Sequence, residues 1–100
     1  MSRRHEREKR QSVIATISEL ARLWPACFAV YERARKPLAI GIREALAVAL
    51  AGTIEPKAVA YALRCYTNAG PYLRKLRTGA HRYGLDGQRC GSVTSDEAAG

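Results

Sequence analysis

Six cations, three tyrosines and a single acid share the stretch from Arg64 to Arg89. The cations are Arg64, Arg74, Lys75, Arg77, Arg82 and Arg89, the rings are Tyr66, Tyr72 and Tyr83, and the acid is Asp86. None of these groups, at these spacings, builds a nucleophile or an acid–base pair. What they do suit is a polyanion that carries flat bases. A guanidinium forks two hydrogen bonds onto one phosphate, and a tyrosine face stacks an unpaired base for about 1–3 kcal/mol. The Asp86-Gly87 turn in the same stretch offers a rigid place to mount such groups.

Other chemistries lack their parts. There is no paired-carboxylate, Ser/His or Cys/His constellation and no glycine-rich phosphate loop of Walker type, so no enzyme is expected. His5 and His81 have no partner at metal-binding spacing. Cys27, Cys65 and Cys90 are odd in number and form no Cys-x-x-Cys pair, so neither a zinc site nor a disulfide framework is expected, and no cofactor is implied. Three thiols of this kind fit a reducing cytoplasm. No apolar run is long enough to span a membrane, and the charged N-terminus has no apolar stretch behind it to make a secretory signal.

With 100 residues, 47% of them hydrophobic, the chain is sized for one domain with one modest core. The net charge of +8 favours nucleic acid or an anionic membrane surface as partner.

The elements that must position the basic groups follow from the spacing of apolar residues. Residues 1–11, almost wholly charged from Ser2 to Arg10, have no apolar face to bury, so they read as a flexible basic arm, mobile or a frayed helix extension. Residues 12–100 make the domain. Ser12 is placed to cap a first helix whose inner face is Val13, Ile17, Leu20 and Trp24, ending at Pro25. Residues 26–35 suit a short helical turn with Cys27, Phe28 and Val30 inward. A second helix spans residues 40–51 with Ile42, Leu46, Ala49 and Leu50 inward, closed by Gly52. Pro56 opens a third, with Val59, Leu63 and Tyr66 inward and Lys57, Tyr61 and Arg64 on its outer face. Thr67 or Asn68 is placed to cap a fourth, short helix through Gly70-Pro71, with Arg74, Lys75 and Arg77 projecting. Residues 82–85 and 90–94 flank Asp86-Gly87 as a β-hairpin. Ser95-Asp96-Glu97 starts another helix where the sequence stops, as in a segment cut from something longer.

In this order, W-P-A-C-F (Trp24 to Phe28), K-P-L-A-I-G-I (Lys36 to Ile42), A-L-R-C-Y-T (Ala62 to Thr67), P-Y-L (Pro71 to Leu73), T-G-A-H-R (Thr78 to Arg82) and L-D-G-Q-R-C-G-S-V-T (Leu85 to Thr94) resemble the ProQ/FinO domain of bacterial RNA chaperones. The resemblance implies a compact, mainly α fold with a small β-hairpin (α+β). It implies a chaperone or post-transcriptional regulator that binds structured RNA: small regulatory RNAs and messenger 3′ ends, typically a stem-loop with a single-stranded, U-rich 3′ tail such as an intrinsic terminator. One concave face holds the RNA, with the 3′ end in a pocket between helix and hairpin.

By motif the resemblance assigns RNA contact to Tyr72, Arg82, Arg64, Thr67, Asn68 and Arg77. Ala39 stands where the family often has lysine, Ala60 where a basic residue is frequent, and Pro71 where an arginine can precede the tyrosine. Lys36, Lys57, Arg74 and Lys75 are then the cations available in compensation. A cytoplasmic monomer with structured RNA as its partner is expected. The competing reading is a small helical DNA-binding regulator, against which stands the lack of a clear recognition helix.

Overall fold

Helix α1 runs Arg3–Leu23 in a computed structural model that describes residues 3–99, with side chains from residue 6 onward. The backbone is already helical through most of the expected arm, so Ser12 lies inside the helix, where its carbonyl accepts the Thr16 hydroxyl at 3.0 Å. Ser12 therefore caps nothing. Residues 1 and 2 of that arm lie outside the described residues. Side chains 6–12 are all exposed, and burial begins with Val13, half-buried, and Ile17.

After α1, residues 24–41 form no long helix. A single 3-10 turn, Glu32–Ala34, interrupts extended chain. Cys27 and Phe28 face inward as expected, but Val30 is 48% exposed. Arg35 takes the interior position instead. Its guanidinium donates to Ala29 O (3.2 Å), Val30 O (3.1 Å) and Tyr66 O (3.2 Å) and lies 4.1 Å from the Tyr66 ring centroid. A buried charge is tolerated where its donors meet carbonyls and a π face.

Helix α2, Ile42–Leu50, buries Leu46 and Leu50, whereas Ala49 is exposed and Ile42 half-buried. It is shorter than its apolar spacing suggested because both ends are left-handed: Gly41 at φ 85° before it, then Ala51 at 48° and Gly52 at 86° after it. Helix α3, Pro56–Asn68, has proline in its first turn and buries Val59, Ala62, Leu63 and Tyr66, and α1 lies along it. Helix α4, Gly70–Arg74, buries Tyr72.

Tyr66, fully buried, is the centre of the core. It meets Phe28 (5.5 Å) and Tyr72 (5.9 Å) edge-on, contacts that add about 0.5–1.5 kcal/mol each beyond burial. Its hydroxyl accepts the Ala29 N–H at 3.0 Å, and burial pushes its pKa above the ordinary tyrosine value.

Strands β1, His81–Tyr83, and β2, Arg89–Ser92, pair antiparallel, with an irregularity between His81 and Tyr83. Leu38 joins β1 as a parallel bridge: Ala39 N donates to Tyr83 O and Tyr83 N to Pro37 O, both 2.9 Å. The proline-leucine-alanine segment is thus a third ribbon beside the hairpin. At the hairpin turn, Gly87 has φ 79°, and a Cβ there would fall 2.5 Å from Ala26 Cβ. Only glycine allows this approach. Helix α5, Ser95–Ala99, begins with a reciprocal cap: Thr94 N donates to Glu97 Oε1 (2.9 Å) and Glu97 N to Thr94 Oγ1 (3.2 Å).

Candidate nucleic-acid interface

Ala60, Leu63, Arg64 and Thr67 recur at steps of three, one and three along α3, so they form one stripe of that helix. This stripe walls one side of an open hollow of about 370 Å³. The opposite side is the loop from Leu38 to Gly41 and the first turn of α2, Ile42 to Glu44. Tyr72 from α4 and Arg82 from β1 complete the lining. Four expected site residues from three elements, Arg64, Thr67, Tyr72 and Arg82, therefore share one cavity.

Its inner surface is apolar, with Leu38, Ala39, Leu63 and Tyr72 all less than a tenth exposed. Its rim is charged. Arg43 and Arg64 are exposed, and among the described residues neither has an ion-pair partner. Ile40, 73% exposed, stands on the same rim. Arg43 had no place among the expected contacts. Its position directly after the K-P-L-A-I-G-I motif was the available clue.

Arg82 is 8% exposed. Nη1 donates to Leu38 O at 2.8 Å, and Nη2 meets Glu97 Oε1 at 3.2 Å. Among the described residues, buried Nε has no hydrogen-bond partner. Glu97 is held below the usual carboxylate pKa, first by the Thr94 N–H and then by Arg82. Tyr72, 3% exposed, does not offer a ring face for stacking. Its ring packs in the core and its hydroxyl accepts the Leu38 N–H at 3.1 Å, while the residue lines the hollow.

Thr67 lines the hollow but does not cap α4, and the remaining expected residues lie elsewhere. The Thr67 hydroxyl donates back to Leu63 O at 2.9 Å, since α3 continues through Asn68, which is exposed and outside the lining. The residue before α4 is Ala69, which makes no side-chain cap. Lys57 is exposed in the first turn of α3, and Lys36 Nζ sits 4.9 Å from the Tyr83 ring centroid. Neither lines the hollow. Lys75 Nζ is spent on carbonyls, those of Arg33 and Arg35, the latter at 2.6 Å. Arg74 and Arg77 border a different concavity with Arg33 and Pro71.

The apolar hollow with an arginine rim sits on a fold already described for known proteins. A family model described as the ProQ/FINO family matches residues 10–100. The chain belongs to the ProQ/FinO family. Among its ProQ/FinO relatives, RNA chaperone ProQ of Idiomarina loihiensis is 40% identical over 91% of this chain, and that of Shewanella piezotolerans 35% over 89%. The chain spans only 44% and 42% of those two proteins' lengths.

Among solved structures, a FinO-like RNA chaperone from Neisseria meningitidis superposes with a TM-score of 0.70 at 27% identity, covering 90% of this chain and 89% of that one. A ProQ homologue from Legionella pneumophila gives 0.74 at 24% identity, over 86% and 74% of the two chains, and shares the fold. The two ProQ relatives and the Neisseria protein are RNA chaperones, a function that involves no covalent chemistry. Among the described residues, no helix is long and apolar enough to cross a membrane, and no group of three or more His, Cys, Asp or Glu could hold a metal ion.

Proposed function

We propose that this chain is the RNA-binding unit of an RNA chaperone, acting as a cytoplasmic monomer. Its ligand is a stem-loop whose single-stranded 3′ end enters the hollow between α3, the Leu38–Gly41 loop and the hairpin. The observation that carries this reading is the convergence of Arg64, Thr67, Tyr72 and Arg82, joined by Arg43, on one cavity.

The chemistry supports an RNA end. The apolar inner surface accepts a base, while Arg43 and Arg64 at the rim meet phosphate. The Tyr72 hydroxyl, which accepts from Leu38, keeps its own proton to donate to a sugar or phosphate oxygen. A terminus enters an open hollow of this size where a continuous duplex does not, and ends and single strands are the readable parts of folded RNA. The chaperone names of the ProQ relatives and the Neisseria structure add the same partner class. The three free thiols suit a reducing compartment.

The test is a titration of one terminator-like hairpin with and without its 3′ uridine tail, at one salt concentration. The tailed RNA is expected to bind at least about tenfold more tightly, the value of a single good stack or charged hydrogen bond. Equal affinities, or tighter binding to duplex DNA than to either RNA, would overturn the reading.

A further inference from the structure

Helix α4 contributes to two concavities. Tyr72 lines the hollow, while Pro71, Arg74 and Lys75 line a separate groove completed by Arg77 and the segment Val30 to Arg33. This groove is described by two overlapping cavities of about 600 and 590 Å³ that share Arg33, Pro71 and Arg74. Arg33, Arg74 and Arg77 are exposed, and among the described residues none has an ion-pair partner. Glu32 is the lone acid in the lining. At one end Tyr31 is 67% exposed, beside Val30 at 48%.

The groove's two walls are tied together. Lys75 Nζ donates to the carbonyls of Arg33 and Arg35, fastening the 3-10 segment to α4. Behind it, the buried Arg35 guanidinium holds Ala29 O and Val30 O. Three free guanidinium groups and an exposed ring are thus mounted on a braced backbone, so little main-chain ordering remains to be done on binding.

We propose that this groove is a second RNA-binding site, separate from the hollow, which takes an unpaired stretch of the same RNA with its phosphates on Arg33, Arg74 and Arg77 and a base on Tyr31. The inference rests on the reading that the chain binds RNA. A single strand fits better than a duplex because only an unstacked base presents a face to Tyr31. Lys75 and Arg35 take no part in contact; they position the walls.

The experiment measures affinity for a hairpin with single-stranded flanks across a series of KCl concentrations. The proteins compared are wild type, the triple variant Arg33→Ala/Arg74→Ala/Arg77→Ala, and Tyr31→Ala, each checked for fold by circular dichroism. Each single-strand phosphate contact contributes roughly 0.7 to the slope of log affinity against log salt, so the triple variant is expected to flatten that slope by about 2. Tyr31→Ala is expected to weaken binding by roughly five- to a hundredfold.

Both variants should keep the wild-type preference for tailed over blunt hairpins, whereas Arg64→Ala, in the hollow, should lower it. Folded groove variants with wild-type affinity and slope would overturn the proposal. If wild type shows no tail preference while the groove variants still lose slope, the hollow assignment fails and the groove stands.

Discussion

The Tyr72 hydroxyl accepts the backbone N–H of Leu38 at 3.1 Å, across 34 residues of sequence. The carbonyl of the same Leu38 accepts Arg82 Nη1 at 2.8 Å. One residue of the proline-leucine-alanine segment is therefore held from both its peptide groups by two residues proposed to contact RNA. Each serves the fold and the hollow together, which decides how substitutions there must be read.

Replacing Tyr72 by alanine empties a core position beside Tyr66, and a loss of about 3–5 kcal/mol of stability is expected. Tyr72→Phe keeps the ring and leaves the Leu38 N–H unpaired, a loss of roughly 1–3 kcal/mol. Thermal or urea unfolding of the two variants checks the ranking. Near-equal stability of Tyr72→Ala and wild type would contradict the core assignment.

Arg82→Ala unpairs Leu38 O and removes the partner of Glu97, so it is expected to lose stability along with RNA binding. Arg64→Ala removes an exposed side chain with no ion pair. It is expected to change stability by less than about 0.5 kcal/mol while weakening RNA binding at least several-fold. Unfolding curves paired with RNA titrations separate the two. Wild-type RNA affinity of Arg64→Ala would remove that residue from the site.

The pH response of α5 follows from Glu97. Its pKa in the folded chain lies below its ordinary value, so its contribution is present above that ordinary value and is lost as pH falls through the depressed one. On acidification below the usual carboxylate range, α5 is expected to detach from Thr94 and Arg82 ahead of the core. Backbone NMR shifts of residues 94–99 followed down from neutral pH check this, and Glu97→Gln should blunt the transition.

The thiols should differ sharply in reactivity. Burial pushes Cys27 up to about 11, whereas Cys90 is exposed and Cys65 half-buried. With iodoacetamide at pH 8, Cys90 is expected to be alkylated first and Cys27 only on unfolding, as read by peptide mass spectrometry.

Gly87→Ala places a methyl group against Ala26 in a left-handed turn. A loss of roughly 2–4 kcal/mol is expected, from the backbone conformation and the overlap together. Chemical denaturation measures it.

Much of this architecture was legible in the sequence because burial follows periodicity. Leu46 with Leu50, and Val59 with Leu63 and Tyr66, recur at helical steps and are buried where that spacing put them. Asp86-Gly87 marked the hairpin, and Pro56 the start of α3.

What escaped was decided by tertiary contact or by local competition. Arg35 ended the expected short helical turn without being counted among its inward residues, and its burial depends on the Tyr66 ring and carbonyls supplied from elsewhere in the fold. Thr67 looked like a cap, but its hydroxyl bonds back to Leu63 O once α3 continues past it. Ser12 had the same fate because α1 extends into the charged run before it. The grouping of Arg64, Thr67, Tyr72 and Arg82 was legible only through the family resemblance, since no spacing in one dimension joins α3, α4 and β1. Lys57 and Lys36 lie outside the hollow for the same reason.

The central claim is that the hollow receives the 3′ terminus of the RNA. The most direct measurement is photo-crosslinking of a hairpin whose last tail nucleotide is 4-thiouridine, with the crosslinked peptide mapped by mass spectrometry. The account predicts crosslinks within residues 38–44 and 60–72. Crosslinks confined to α1 or to the Arg33–Arg77 groove would contradict it.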